Sequence, residues 1–515
     1  MNKFLVLAAL SFSLVLIACK SPGGVDGASY YLDPVKGNDS NDGTSPENPW
    51  RSLEKIATIE LKAGDRILLL AGQVFRSSLK MNNLHGTIVA PIILSTYGKG
   101  RAILDSGDSL AILAEDCSYF ICKNLIVKGS GRLAGNEADG LLFRRVQHGV
   151  VDRVDAFGYL YSGIHVVGGS DITITHVYAH DNGFCGIFAE SGEPEYGVDG
   201  SKFKTLKRVY IGYSVAENNP GCPLITDNHS GNGILVAGAV NGMIEYCEAM
   251  NNGWDMPREG NGPVGIWAYM SDSITIQHCY SHHNKTSQHG KDGGGFDFDG
   301  GMRNSIMQYN LSAFNEGAGY GIFQYAGATE WTQNVARYNI SFNDGSKNSH
   351  AGIFVWCDPI AQRMKNFHAY NNTIVSEYGL GVNFEPGAYE GFVFENNIFL
   401  ITGETDRFID GKFSMATFNN NLYWSSYHSG LHKSQPIQYS DAASIQSDPK
   451  IVLPGNHELI LIKTDSLAAL RWFDLPPGSP CLQAGIVIQN NGGFDFWSNP
   501  VSSNDNPNLG AWQGN

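Results

Sequence analysis

The chain has 515 residues, with 61 glycines and 20 prolines scattered among short apolar runs, and its 50 acidic against 35 basic residues give a formal net charge of −15. That balance argues against nucleic acid or a polyanion as an indiscriminate partner. The density of turn formers points to an all-β chain. None of the cysteines stands in a close-spaced metal framework.

In chain order, Lys3 followed by the apolar run Phe4 to Ile17 reads as an export signal, too short to span a bilayer. Leu16-Ile17-Ala18-Cys19 resembles a lipobox, which implies cleavage before Cys19 and lipid modification of that cysteine. Residues 1–19 are therefore expected to be a lipoprotein signal, and residues 20–28 a flexible tether. The expected location is the cell envelope of a bacterium, at the outer membrane or cell surface, with the membrane touched only through the lipid. After Trp50, Ser52 reads as an N-cap and Leu53, Ile56 and Ala57 as one face of a short helix that would plug the open end of a solenoid.

From about residue 140 a short strand opening on glycine recurs at a period of roughly 23 to 32 residues, the signature of a solenoid. The copies are Gly140–Arg144, Gly163–Val167, Gly186–Glu190, Gly233–Ala237, Gly265–Tyr269, Gly295–Asp299, Gly321–Tyr325, Gly352–Trp356 and Gly381–Glu385. Between them lie second strands ending in an asparagine turn: Ile172 to Asn182, Ile244 to Asn252, Ile274 to Asn284, Ile306 to Asn315 and Val335 to Asn343. Stacked asparagine amides can hydrogen-bond along a ladder and so satisfy a buried turn. The leucine framework of the rival solenoid is absent. Cys247 and Cys279 hold equivalent places in two repeats and read as stacked thiols rather than a bridge, while Cys185 and Cys222 are a candidate pair.

Side chains alternate across a strand, so each pentapeptide sorts into inner and outer residues. Its second and fourth positions are apolar except Gln324, and go inside. The outer set then includes Glu190, Trp267, Tyr269, Asp297, Asp299, Phe323, Tyr325, Phe354, Trp356, Asn383 and Glu385. Coils stack about 4.8 Å apart, so aromatic side chains flank two aspartates, an arrangement suited to the apolar faces and hydroxyl rims of sugars. The alternative is that long loops cover these residues and turn them into satellite core.

Asp297 and Asp299, with Cα atoms roughly 6.5 to 7 Å apart on one face, are the expected catalytic pair, since glycoside hydrolysis needs one carboxyl group as acid and another as base or nucleophile. Mutual repulsion would raise the proton affinity of one of them. Calcium ligation by the same two residues, backbone capping of the adjacent glycine turns and a simple solvated edge are the competing roles. Glu190, His229, Glu259, Trp267, Tyr269, Phe323, Tyr325 and Trp356 are the expected substrate-binding residues. The insertions before Gly233, Gly265 and Gly295 should wall the groove, and they carry Asp227, His229, Asp255, Arg258, Glu259, His289, Lys291 and Asp292.

The opening Tyr30-Tyr31-Leu32-Asp33-Pro34, with Gly37 to Gly43 and Pro49 to Leu53, and the closing Pro477 to Cys481, Asp495-Phe496-Trp497 and Leu509 to Trp512, resemble the ends of extracellular proteins of the pectate-lyase-like superfamily. The resemblance implies a single-stranded right-handed parallel β-helix, assigned here to residues 29–430, with an irregular C-terminal cap over 431–515. It is weak for reaction, because such proteins include lyases, glycoside hydrolases and binding proteins. The residues favour a glycoside hydrolase acting on a polysaccharide or oligosaccharide, with no cofactor required. A polysaccharide lyase, calcium-assisted or using Lys291 or Arg303, and a non-catalytic glycan-binding lipoprotein are the alternatives. The lipobox reading predicts that Cys19→Ala abolishes lipid labelling and releases the protein from membranes; unchanged retention would rule it out.

Overall fold

The computed structural model describes residues 27–514 apart from 134, 193–205, 348–350, 405–406, 412–413, 428–440, 456–466, 468–469 and 471. The signal segment and Cys19 therefore lie outside the described residues. Those described form an all-β solenoid of 36 strands, and every pairing between them is parallel.

All nine glycine-led copies lie in strands of one sheet, extended by Leu79–Asn82 and Ile112–Glu115 at one end and Ile409–Gly411 at the other. Each expected second strand is in fact two strands meeting at a corner. Asp272–Gln277 and Tyr280–His282, for example, are separated by His278 in the left-handed region at φ 51°. Tyr246, Tyr309 and Tyr338 turn the same corner in neighbouring coils. Three parallel sheets thus enclose one apolar core, with Phe296 and Phe298 inside it as the strand period requires.

Register departs from the repeat at one copy. Phe296 pairs with Tyr320 and Phe298 with Ile322, so the Gly321 strand sits two residues from where alignment on its glycine would put it. Ile353 then pairs with Tyr320, and Trp356 with Phe323. A shift of two keeps inside and outside unchanged. Gln324 stays inside, accepting from Gly301 N–H at 2.9 Å and donating to Thr329 O at 3.0 Å.

Two asparagine columns run through the corners. In one, Asn182, Asn219, Asn252, Asn284 and Asn315 each bond the next, and the column ends on Asp344 rather than the expected Asn343. The other runs Asn310, Asn339, Asn372, Asn397, Asn421 and ends on Asp441. Cys279 continues the second column upstream, its N–H bonded to Asn310 Oδ1 at 3.0 Å, and Cys247 occupies the coil before it. Both are free buried thiols, as expected. Cys185 and Cys222 are also free and buried, so the candidate bridge between them is not formed.

Leu53–Thr58 is a 3-10 turn rather than an α-helix. Ser52 makes no side-chain cap; its hydroxyl donates to Asp39 Oδ2 at 2.7 Å, while Leu53 and Ile56 reach the core and Ala57 is exposed. Beyond the last full coil, Asp441 and Ile445 add one more layer. The segment from Leu475 onward instead runs back along the outside of the third sheet, burying Leu475, Cys481, Phe496 and Leu509 against Leu311, Ile340 and Ile398.

The side-chain amide of Asn339 takes part in four ladder bonds, and the residue is fully buried. Removing its amide strands donors and acceptors in both neighbouring coils, at about 1–3 kcal/mol each. Asn339→Ala should therefore lower the urea midpoint far more than Asn504→Ala, an exposed substitution outside both columns; equal midpoints would contradict the ladder's role.

Candidate functional site

At the middle of the first sheet the outer face forms two rows. Leu235, Trp267, Asp297, Gly321, Phe354 and Asn383 make one, each paired with the next. The other continues one alternation on, through Ala237 and Tyr269 to Asp299, and from Phe323 to Trp356 and Glu385. The two-residue register shift puts Gly321 beside Asp297. Its backbone needs no glycine; the space does, since a Cβ there would stand 2.8 Å from the Phe323 ring and 2.9 Å from Asp297 Oδ1.

The insertions wall this region as expected. Gly262 N–H donates to Asp292 Oδ2 at 2.7 Å, Lys291 N–H to Gly260 O at 2.6 Å, and Gly293 N–H to Pro263 O at 2.9 Å, tying the loop before Gly265 to the loop before Gly295. Asp292 itself holds φ at 58°, which directs its carboxyl inward from a conformation few non-glycine residues adopt. The result is a cavity of about 330 Å³ lined by His229, Asn261, Gly262, Val264, Trp267, Lys291, Asp292, Asp297, Asp299, Phe323, Phe354, Trp356 and Glu385.

Six of the ten expected site residues meet here: Asp297, Asp299, His229, Trp267, Phe323 and Trp356. The other four do not line it. Tyr269 and Tyr325 pack with Met270 and Ala328 in a satellite cluster, and Glu259 is exposed on the loop. Glu190 lies upstream, where its row passes Ala237 and Tyr269 before reaching the coil of Asp299; there it bonds His165 Nε2 at 3.1 Å while Asp139 bonds Nδ1 at 3.0 Å. Asp292, named only among the loop charges, and Glu385, named only in the outer set, are pocket residues the expected site omitted. The aromatic row is not an open platform. Trp267, Phe323 and Phe354 are largely buried, so covering loops have made satellite core of most of it and left one enclosed recess.

That enclosure governs the acids. Burial, the Asp299 charge and the Asp292 charge, in that order, push Asp297 well above the usual carboxylate range. Its Oδ1 is buried without a hydrogen-bond partner among the described residues. Burial raises Asp299 to about 7 against a 2.7 Å bond from Gly300 N–H. Asp292 is raised to about 6, again by burial, opposed by Gly262 N–H, Lys291 and Arg258. Repulsion between neighbours, the cause expected from sequence, is thus second to desolvation. Of the two cations considered for a lyase, Lys291 lines the cavity, whereas Arg303 is paired with Asp272. Among the described residues no group of three or more His, Cys, Asp or Glu is placed to hold a metal ion.

Because folding raises the proton affinity of Asp297, its burial costs stability as pH climbs from the unfolded carboxylate value near about 4 toward the folded value, and the cost persists above that. Below both values it is absent. Asp297→Asn should therefore match the parent's melting temperature near pH 4 and exceed it at pH 8; a gap independent of pH would overturn the assignment of a buried, proton-retaining carboxyl.

A family model described as a right-handed β-helix region matches residues 106–358. Among curated proteins, a lacto-N-biosidase of Bifidobacterium longum subsp. longum is 24% identical over 94% of this chain, which spans 36% of that protein's length. Among solved structures, the GH136 lacto-N-biosidase from Eubacterium ramulus superposes with a TM-score of 0.52 at 17% identity, over 74% of this chain and 68% of the other. Pectate lyase Pel9A superposes with a TM-score of 0.49 at 17% identity, over 96% and 98% of the two chains. Parallel coils, the matching β-helix model and the superposition on the Eubacterium ramulus enzyme together make the fold a right-handed parallel β-helix.

Proposed function

We propose that the protein is an extracytoplasmic, lipid-anchored glycoside hydrolase whose enclosed pocket cleaves a neutral oligosaccharide. The observation that carries the reading is a set of three aspartates, Asp297 buried and Asp292 and Asp299 half-buried, whose surroundings give them unequal proton affinities in a recess with aromatic walls. Similarity to lacto-N-biosidases, glycosidases by name, supports the same reaction class.

Hydrolysis of a glycosidic bond requires one carboxylic acid at the leaving oxygen and one carboxylate as base or nucleophile, with proton affinities set apart by environment. Asp299, holding its proton to about pH 7, suits the acid. Asp292 has the best-supported anion of the three, with one backbone N–H and two cations opposing its burial. It suits the carboxylate. Asp297, expected from sequence as a partner of Asp299, has no donor on Oδ1 and two acidic neighbours, so it stays neutral and can donate a hydrogen bond to the sugar. Trp267, Phe323, Phe354 and Trp356 offer apolar surface to sugar C–H faces, binding ground and transition states alike. The lining offers Lys291 as its one lysine or arginine to quench the carboxylate of a uronic sugar, which weighs against the lyase.

A glycan panel with product analysis, including glycans of the kind from which lacto-N-biosidases take their name, should show reducing-sugar release without an ultraviolet-absorbing unsaturated product. Asp292→Asn and Asp299→Asn should each lower turnover by about a hundredfold or more, and Asp297→Asn, which keeps an N–H donor, by about tenfold at most. The profile of kcat/KM should be bell-shaped, rising as Asp292 ionises near about 6 and falling as Asp299 does near about 7. Unsaturated products would replace the hydrolase with a lyase. A dead Asp297→Asn beside an active Asp292→Asn would move the second role back to Asp297.

A further inference from the structure

His229 enters the pocket from the loop before Gly233, and the proton on its ring can be located from its neighbours. The chain of constraint begins at Trp267, whose indole nitrogen can only donate. It donates to Asn232 Oδ1 at 3.1 Å, and Val264 N–H, also a donor only, points at the same oxygen from 3.4 Å. On the other side of that amide, Asn232 Nδ2 lies 3.2 Å from Phe184 O, which can only accept. Three groups of fixed role therefore agree on which end of the Asn232 side chain is oxygen, and its NH₂ has no freedom to exchange places. The second N–H of that NH₂ faces His229 Nδ1 at 3.1 Å. Nδ1 must accept.

We infer that Asn232 locks His229 as the neutral Nε2–H tautomer, so that the pocket presents a fixed, uncharged N–H donor to an oxygen of the bound sugar. The inference deepens the glycosidase reading and rests on it for the identity of the ligand. The ring is held in place by edge contacts with Trp267, centroids 4.8 Å apart, and by Phe184 at 5.6 Å. Protonating Nδ1 would break the Asn232 bond and set two N–H groups against each other. Burial and the nearby Arg258 act in the same direction and depress the cation to about 3. Arg258, Lys291, Glu385 and the pocket acids Asp292, Asp297 and Asp299 are the charged and titratable groups around this recess, and of these only Arg258 joins burial in setting the ring's proton affinity. Asn232 is a positioning residue in this scheme, since it acts through His229. Trp267 has two duties: wall of the pocket and first link of the chain.

Two readouts test it. In ¹⁵N-histidine-labelled protein, with His229 identified by its loss in His229→Gln, the Nδ1 resonance should be that of an unprotonated imine nitrogen and Nε2 that of a protonated one, unchanged from pH 8 to pH 5. In kinetics on the substrate found by the glycan panel, His229→Leu should lose about tenfold or more of kcat/KM, the range for one hydrogen bond, and His229→Gln, which places an amide N–H near where Nε2–H stood, should lose less than His229→Leu does. A protonated Nδ1, a ring that titrates in that pH range, or a His229→Leu enzyme as good as the parent would each overturn the inference. If the parent hydrolyses no glycan, the glycosidase reading falls and takes the sugar partner with it, whereas the spectrum still decides the tautomer.

Discussion

Everything in this molecule depends on satisfying the polar backbone at corners that are buried between coils. An asparagine at such a corner accepts on Oδ1 from the preceding coil's N–H and amide, and donates from Nδ2 to a carbonyl further back, as Asn339 does with Asn310 and Met307. The bonds have a direction, so a column of such residues needs a last member that only accepts. Both columns end on aspartate, Asp344 and Asp441, which cannot donate when ionised and have no further rung to reach. A coil displaced by one residue would orphan its rung and both neighbours, and would also turn its apolar set outward. The register that aligns the site rows is thus enforced twice, once by polar satisfaction and once by the core.

This explains what could be read from residues alone. The two-residue period put Phe296 and Phe298 inside and Asp297 and Asp299 outside, and the structure agrees. The glycine that opens each copy marked the sheet but misled at one coil. There Tyr320 takes the inner place, stacked on Phe296 with centroids 5.3 Å apart and donating its hydroxyl toward Asn310 O and Ile340 O. A large buried tyrosine before the glycine outweighs the glycine as a register mark, and the motif alone gives no sign of this. Because the shift is even, parity survived while row neighbours changed, and Gly321 rather than Phe323 came to lie against Asp297.

The loops were legible only as charges. Asp292 reaches the pocket through a left-handed backbone turn and a bond to Gly262 in another insertion, so neither its direction nor its partner follows from its own neighbours in sequence. The depth of the pocket was hidden for the same reason: Trp267 and Phe354 are outward-facing strand residues by period, and only loop packing decides that they are buried. Once they are, dehydration rather than mutual repulsion becomes the first influence on the acids.

A second acidic cluster on the same sheet differs from the central one in how its charge is matched. At Asp139, His165 and Glu190 two acids also lie on the outer face under cover, yet a histidine bridges them; burial disfavours its cation, but the two carboxylates outweigh that and lift it to about 10. Charge there is matched by charge, each proton has one stable place, and no cavity opens onto it among the pockets described. Around Asp297 the acids face one another, an apolar wall and a single exposed lysine, with His229 held neutral. Protons in that recess are divided among carboxyl groups by differences in burial and hydrogen bonding. A solenoid that repeats one coil many times can thus carry on one face an acidic cluster neutralised by a bridging histidine and another whose protons are divided among its own carboxyl groups.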